Sequence, residues 1–252
     1  MTASPAAQTP RAATTFATTA AELHKLVTVR STWWFVGGAA AAMLAVTVLA
    51  SDDRDPATVL AVPVAVQALA NFVQYILGAL GIAAVTGEFA SRSITVTFAC
   101  TPSRPRVMAA KALVVGGAVL VAGTAIAALG VGVAAARFDE LGDLGAAEAA
   151  DVARMGLYPA FLATLGLGIG TLVRRTAGAL TIFVVLLVLV PELLGFAADR
   201  FGLAWLTTVA DYTPSPAGWR FVSGQWEEAL VLLAWSGAAV AAAAWTVRIR
   251  DV

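Results

Sequence analysis

Cysteine is almost missing from this sequence: Cys100 is the one such residue in 252. A lone thiol excludes an intramolecular disulfide and any multi-cysteine zinc or iron–sulfur site. Histidine is as scarce, with His24 alone, so clusters of several imidazoles are excluded and no metal site is expected. The only lysines are Lys25 and Lys111, and neither follows a glycine. A phosphate-cradling G-x-x-x-x-G-K-[ST] loop is therefore absent, as are H-E-x-x-H and G-x-S-x-G. On this inventory the chain is expected not to be an enzyme and to bind no cofactor of its own. Charged residues make up 13 % of the sequence, about half the share usual in soluble domains. With sixteen basic and sixteen acidic residues the net charge is zero, and nothing in that balance suggests nucleic acid.

What the chain has in excess is apolar side chain, 60 % of all residues. A water-soluble globule so poor in charge would expose large apolar patches, so lipid is the expected solvent. About 20 mostly apolar residues cross the hydrocarbon core, and six segments qualify: 33–50, 62–86, 107–136, 155–173, 176–198 and 229–247. The third exceeds one crossing and is expected to protrude or bend near Gly116, Gly117 or Gly123. Residues 1–20 read as a retained, disordered Ala/Thr/Pro-rich tail, and 21–252 as a single membrane domain. Just before the first span, Ala21 to Ser31 places Leu23, Leu26 and Val27 on one side and suits a helix lying in the membrane interface.

The connectors alternate in charge. Eleven of the sixteen basic residues, among them Lys25, Arg92, Arg104, Arg106, Lys111 and Arg174, fall on one side, and only Arg54, Arg137, Arg154, Arg200 and Arg220 on the other. Short loops rich in Lys and Arg mark the cytoplasmic face, which places both termini inside. The acidic residues run the opposite way, with only Glu22, Glu88 and Asp251 on the basic side.

Polar groups inside the spans are the candidate path or seam. Gln67, Asn71, Gln74 and Gly78 follow 4, 3, 4 spacing and are expected to share one helix face, either lining a substrate path or bonding to another helix or a second copy. In the fifth span Pro191-Glu192 interrupts a Leu/Val/Ile run. It is expected to end the helix near the outer boundary, the other reading being that Glu192 faces an outer vestibule. Gly166 and Gly170 form a small-xxx-small pair suited to close helix packing. The segment from Asp199 to Gln225 mixes aromatic, aliphatic and proline residues and is expected to dip into the outer interface or cover the bundle.

The most informative stretch is the loop between the second and third spans, 87–111, GEFASRSITVTFACTPSRPRVMAAK. The order Gly87-Glu88-Phe89, Ser93-Ile94-Thr95, Pro102, Arg104, Arg106 and Ala110-Lys111 resembles the loop after the second span of type 2 ABC exporter permeases of bacteria. Glu22-Leu23-x-Lys25-Leu26 and Arg30-Ser31 are similar to that family's N-terminal interfacial helix. Two departures stand out: Arg92 occupies a position where the family usually has glycine, and Ala90-Ser91 replaces its usual basic pair. The resemblance implies an all-α polytopic subunit of six transmembrane helices, with both termini cytoplasmic, in a bacterial plasma membrane. It further implies a coupling helix in this loop, received by a separate cytoplasmic ATP-binding cassette subunit that binds the ATP, and a second permease copy or related chain. The implied ATPase-facing residues are Glu88, Phe89, Arg92, Ile94, Thr95, Pro102, Arg104 and Arg106. By pattern alone Ile94 to Phe98 alternates with period 2 and reads as a strand; the helix rests on the resemblance. Export follows from the family, and a mostly apolar lining with a few amides suits drugs, lipids or other amphipathic cargo. The alternative is a membrane scaffold or assembly factor with no transport role.

Overall fold

The computed structural model describes residues 15–52, 61–94, 103–138 and 145–249, and among them every regular element is a helix. These are α1 (Thr15–Thr28), α2 (Arg30–Asp52), α3 (Ala61–Ala68), α4 (Gln74–Ala90), α5 (Arg104–Arg137), α6 (Ala146–Val173), α7 (Thr176–Val184), α8 (Val190–Phe201), α9 (Trp205–Asp211), α10 (Pro214–Val222) and α11 (Glu228–Ile249). A wide π turn, Leu69–Val73, joins α3 to α4, and another, Val185–Leu189, joins α7 to α8. Among the described residues six stretches are long and apolar enough to cross a membrane: Arg30–Ser51, Ala61–Ala90, Arg104–Arg137, Ala146–Val173, Thr176–Phe201 and Glu228–Ile249. This is the architecture of a multi-pass membrane protein.

The bundle is organised around α6. Its most apolar window is 72 % buried, against 17–28 % for the first, third, fifth and sixth spans. Glycines let neighbours come close. A Cβ on Gly81 would overlap the Ala163 carbonyl, one on Gly166 would come within 2.6 Å of the Gly78 carbonyl oxygen, and one on Gly168 within 2.6 Å of the Ala239 Cβ. Gly166 and Gly170 thus both face α4, while Gly168 receives α11.

One local outcome differs from the pattern in the sequence, and another decides between two alternatives it left open. The helix of the fifth span does not end at Pro191-Glu192 but runs on to Phe201. A proline inside a helix lacks the N–H that would satisfy the carbonyl four residues earlier. The preceding turn widens, so that the Val190 N–H donates to the Val185 carbonyl, and the helix absorbs the defect as a π bulge. The third span neither breaks nor bends out of helical structure at its glycines. It is one helix of 34 residues, about 51 Å long at 1.5 Å per residue, and so longer than the ~30 Å hydrocarbon core.

At its start the chain is helical from Thr15, within the stretch whose composition suggested a tail. Thr18, Glu22 and Leu26, spaced by four, form the buried stripe of α1, while Leu23 and Val27 are exposed. At the opposite end of the bundle α9 and α10 form a cover. Pro214, Ala217, Phe221 and Val222 are buried there, and the Phe221 ring meets Trp226 edge-on at 5.4 Å. The Arg154 guanidinium lies 5.3 Å over the Trp226 ring. Arg220 ties the cover down, donating to Glu228 at 2.7 Å and to the Asp211 carbonyl at 2.6 Å.

Candidate functional site

The end of the bundle that carries most of the basic residues also holds its most concentrated buried charge. Glu22 and Lys25 lie one turn apart on α1, Glu88 near the end of α4, and Lys111 two turns into α5. Lys111 Nζ donates to Glu22 Oε2 and, at 2.7 Å, to Glu88 Oε1. Lys25 Nζ reaches Glu22 Oε1 at 2.8 Å and Glu88 Oε1 at 3.5 Å. Both lysines of the protein are thus committed to one four-membered cluster. Lys111 is 3 % exposed, and so deep an ammonium is tolerated only when paired. Burial alone would raise the Glu22 carboxyl, but the Lys111 and Lys25 ammoniums outweigh it and hold it below its ordinary range. Lys25 shows the mirror case: burial would lower it, yet the Glu22 hydrogen bond and the Glu88 charge hold it above the usual range.

Of the expected coupling residues, Glu88 belongs to this cluster, and the others are placed individually. Glu88 is turned inward on the lysines. Phe89 packs partly buried on the core, and the Arg174 guanidinium lies 5.4 Å over its ring. Arg92 is exposed and adopts a left-handed backbone, φ 57°. Ile94 is 2 % exposed and pins the start of the loop to the bundle. Arg104 donates to the Val247 carbonyl at 3.0 Å, joining α5 to the end of α11, and Arg106 is exposed. Thr95 and Pro102 lie outside the described residues. The first turn of α7 joins the same end through Thr176, whose hydroxyl donates to Thr86 at 2.8 Å.

The amides of the second span do not stay on one face. The π turn at Leu69–Val73 sends the Gln74 N–H to the Leu69 carbonyl, and the extra residue rotates everything beyond it by about 100°. Gln74 consequently points into the bundle, 3 % exposed, and accepts from the Tyr158 hydroxyl at 2.6 Å. Asn71 is exposed beside Phe72, and Gln67 is half-buried. At the far end Glu192 is exposed, on the wall of a cavity of about 440 Å³ shared with Tyr75, Pro191, Asp211, Trp219 and Arg220.

No family model matches the chain, and no curated protein matches it. What the geometry offers is therefore read from the residues alone. The basic end has an internally paired charge cluster that links a peripheral helix to two long helices, with Arg92 exposed just after α4 and Arg106 exposed in the first turn of α5. The cluster escaped the sequence reading although its signal was present. Only two lysines exist, and only three acidic residues fall on the basic side; in so apolar a setting the few opposite charges have to find one another.

Proposed function

We propose that this chain is the membrane-spanning subunit of an ATP-binding cassette exporter of the type 2 kind, set in a bacterial plasma membrane with both termini in the cytoplasm. The observation that carries the reading is the backbone at Arg92. Its φ of 57° is a conformation that favours glycine, and it falls at the one loop position where the resembled permeases usually carry glycine and this chain does not. Local geometry that the sequence motif does not encode thus agrees with the motif.

In this reading α1 lies in the inner interface, with exposed Leu23 and Val27 toward lipid and Trp33 and Trp34, both exposed at the start of α2, at headgroup depth. The loop after α4 receives a separate ATPase subunit through Arg92 and Arg106. Closure of the ATPases moves the loop, and the Glu22–Lys25–Glu88–Lys111 cluster passes that displacement to α1, α4 and α5 together. A second copy or related chain meets the exposed face bearing Asn71 and Phe72, because an amide facing hydrocarbon is costly until another helix covers it. Cargo leaves past Glu192 at the outer vestibule, and its class is amphipathic, a drug or a lipid.

The test is co-expression with the ATP-binding cassette subunit that this reading requires. Arg92→Glu and Arg106→Glu reverse exposed charges without touching the core, and each is expected to lower complex recovery and ATPase turnover by about tenfold. Unchanged recovery and turnover in both variants would overturn the assignment in favour of a scaffold without transport.

A further inference from the structure

The buried charge cluster borders a cavity. Between α1, the start of α2, the end of α4 and the start of α5 lies a space of about 390 Å³, within the range of small-molecule sites. Its floor is apolar, with Leu26, Leu80 and Val115 all buried. Its polar wall is the cluster Glu22, Lys25, Glu88 and Lys111. The mouth lies among the exposed Val29, Ser31 and Ser91. A pocket apolar on one side and polar on the other selects a molecule with both parts.

The charges on the wall choose the head group. Two ammoniums and two carboxylates cancel, and each ammonium already lies within 4 Å of both carboxylates. A charged head would leave water with no counter-charge to meet it, which is costly. Glu88 nevertheless has spare accepting capacity. Its Oε1 serves Lys111 and Lys25, while Oε2 is buried without a hydrogen-bond partner. The terminal torsion of a carboxylate is soft, so a small rotation presents Oε2 to a donor in the cavity and satisfies it. At the mouth the Ser31 hydroxyl can accept from or donate to the same head, and the Ser91 hydroxyl, which donates to the Gly87 carbonyl, can accept from it.

The geometry points to this cavity as a binding site for an uncharged amphiphile bearing hydroxyl donors on an apolar chain, of the acylglycerol or neutral glycolipid class. Its hydroxyl donates to Glu88, and its chain runs over Leu26, Leu80 and Val115. The site needs no ATPase, so it is measured as binding to the full chain alone, and its failure is separate from failure of the transport reading.

The experiment uses the full chain in phosphatidylcholine nanodiscs, with monoolein, oleate and oleylamine as probes that share one chain and differ in head charge. The unmodified protein is expected to bind monoolein at least about tenfold tighter than either charged probe. Glu88→Gln leaves the cluster with a net positive charge and is expected to shift the preference toward oleate by about tenfold. Ala84→Leu and Ala83→Leu each place bulk in the cavity wall and are expected to weaken monoolein by about tenfold with the thermal midpoint retained. An amphiphile that co-purifies with the unmodified chain and is lost from Ala84→Leu identifies a resident bilayer lipid; one that binds only when added identifies an exchanging cargo. No preference for monoolein, an unchanged probe ratio in Glu88→Gln, or unchanged monoolein binding in folded wall variants would overturn the site and leave only partition into the bilayer.

Discussion

Replacing Lys111 by methionine tests whether the cluster at the basic end holds α1 to the bundle. Lys111 is 3 % exposed, and its ammonium is shared by Glu22, 4 % exposed, and Glu88, whose side chain is 13 % exposed. Methionine keeps most of the length and apolar stem and removes the charge. Two carboxylates then face each other with Lys25 as their one remaining cation within the cluster. Removing one member of a buried ion pair costs about 3–5 kcal/mol, because the other is left uncompensated. Lys25 is 40 % exposed and already contacts both carboxylates, so the lower end, about 3 kcal/mol, is expected. For a chain of this size that is a fall in thermal midpoint of about 6–12 °C, read by intrinsic tryptophan fluorescence in detergent. Hydrogen exchange across Thr15–Thr28 should rise before exchange in α4 or α6, since α1 loses its anchor first. Adding Glu88→Gln to Lys111→Met removes the surplus carboxylate, and the double variant is expected to recover at least half of the loss, a coupling that independent sites would not show. A midpoint within about 2 °C of the parent for Lys111→Met, or a double variant worse than the sum of the singles, would refute this account.

Other consequences are as direct. Tyr158→Phe strands the Gln74 oxygen that the hydroxyl now serves at 2.6 Å and should cost about 1–3 kcal/mol, whereas Gln74→Leu combined with Tyr158→Phe should be nearly neutral by the same thermal assay. Gly81→Leu forces a side chain into the Ala163 carbonyl and should abolish monodisperse protein on size exclusion. Gly117→Ala, where nothing lies within 4 Å, should be neutral or stabilising by up to about 1 kcal/mol. Glu22 is held below its ordinary value of 4.5 and Lys25 above its ordinary 10.5. The Glu22 contribution is therefore complete above the unfolded value and lost as pH falls through the folded one. The Lys25 contribution is complete below its unfolded value and lost as pH rises through the folded one. Thermal midpoints should form a plateau between these limits, and Glu22→Gln should flatten the acid limb; an unchanged acid limb would count against the pairing.

The six spans were legible because lipid demands a run of about 20 apolar residues whatever the fold, and the Gly166/Gly170 spacing was legible because close helix packing needs small residues. The π turns were not. One lies in a uniformly apolar run and the other around Asn71 between Gln67 and Gln74, and neither composition marks the added residue that rotates Gln74 inward and away from Asn71. The continuation of the helix past Pro191 has the same origin, since a widened turn hides the proline's missing donor. Around the candidate site, Glu88 and the arginines were identified by motif. That Glu88 meets Lys25 and Lys111, and that both meet Glu22, depends on which helices pack together, and between α4, α5 and α6 this is set by glycine contacts distributed along the bundle.

The central position of α6 bears on how the protein is made. This helix has the lowest mean hydropathy of the six spans, and Glu148, Asp151 and Arg154 lie in its opening turns. It is also the span most completely surrounded by protein, so its glycine-rich surface is shaped for helices and not for lipid. Its own sequence gives it the weakest claim to enter a bilayer alone. The two helices that contact it most extensively, α4 and α5, precede it in the chain and emerge from the ribosome first. Synthesis from the N-terminus therefore builds the groove before the helix that fills it. A circular permutation delivering α6 ahead of α4 and α5 would ask the translocon to accept a segment whose natural solvent is the rest of the protein.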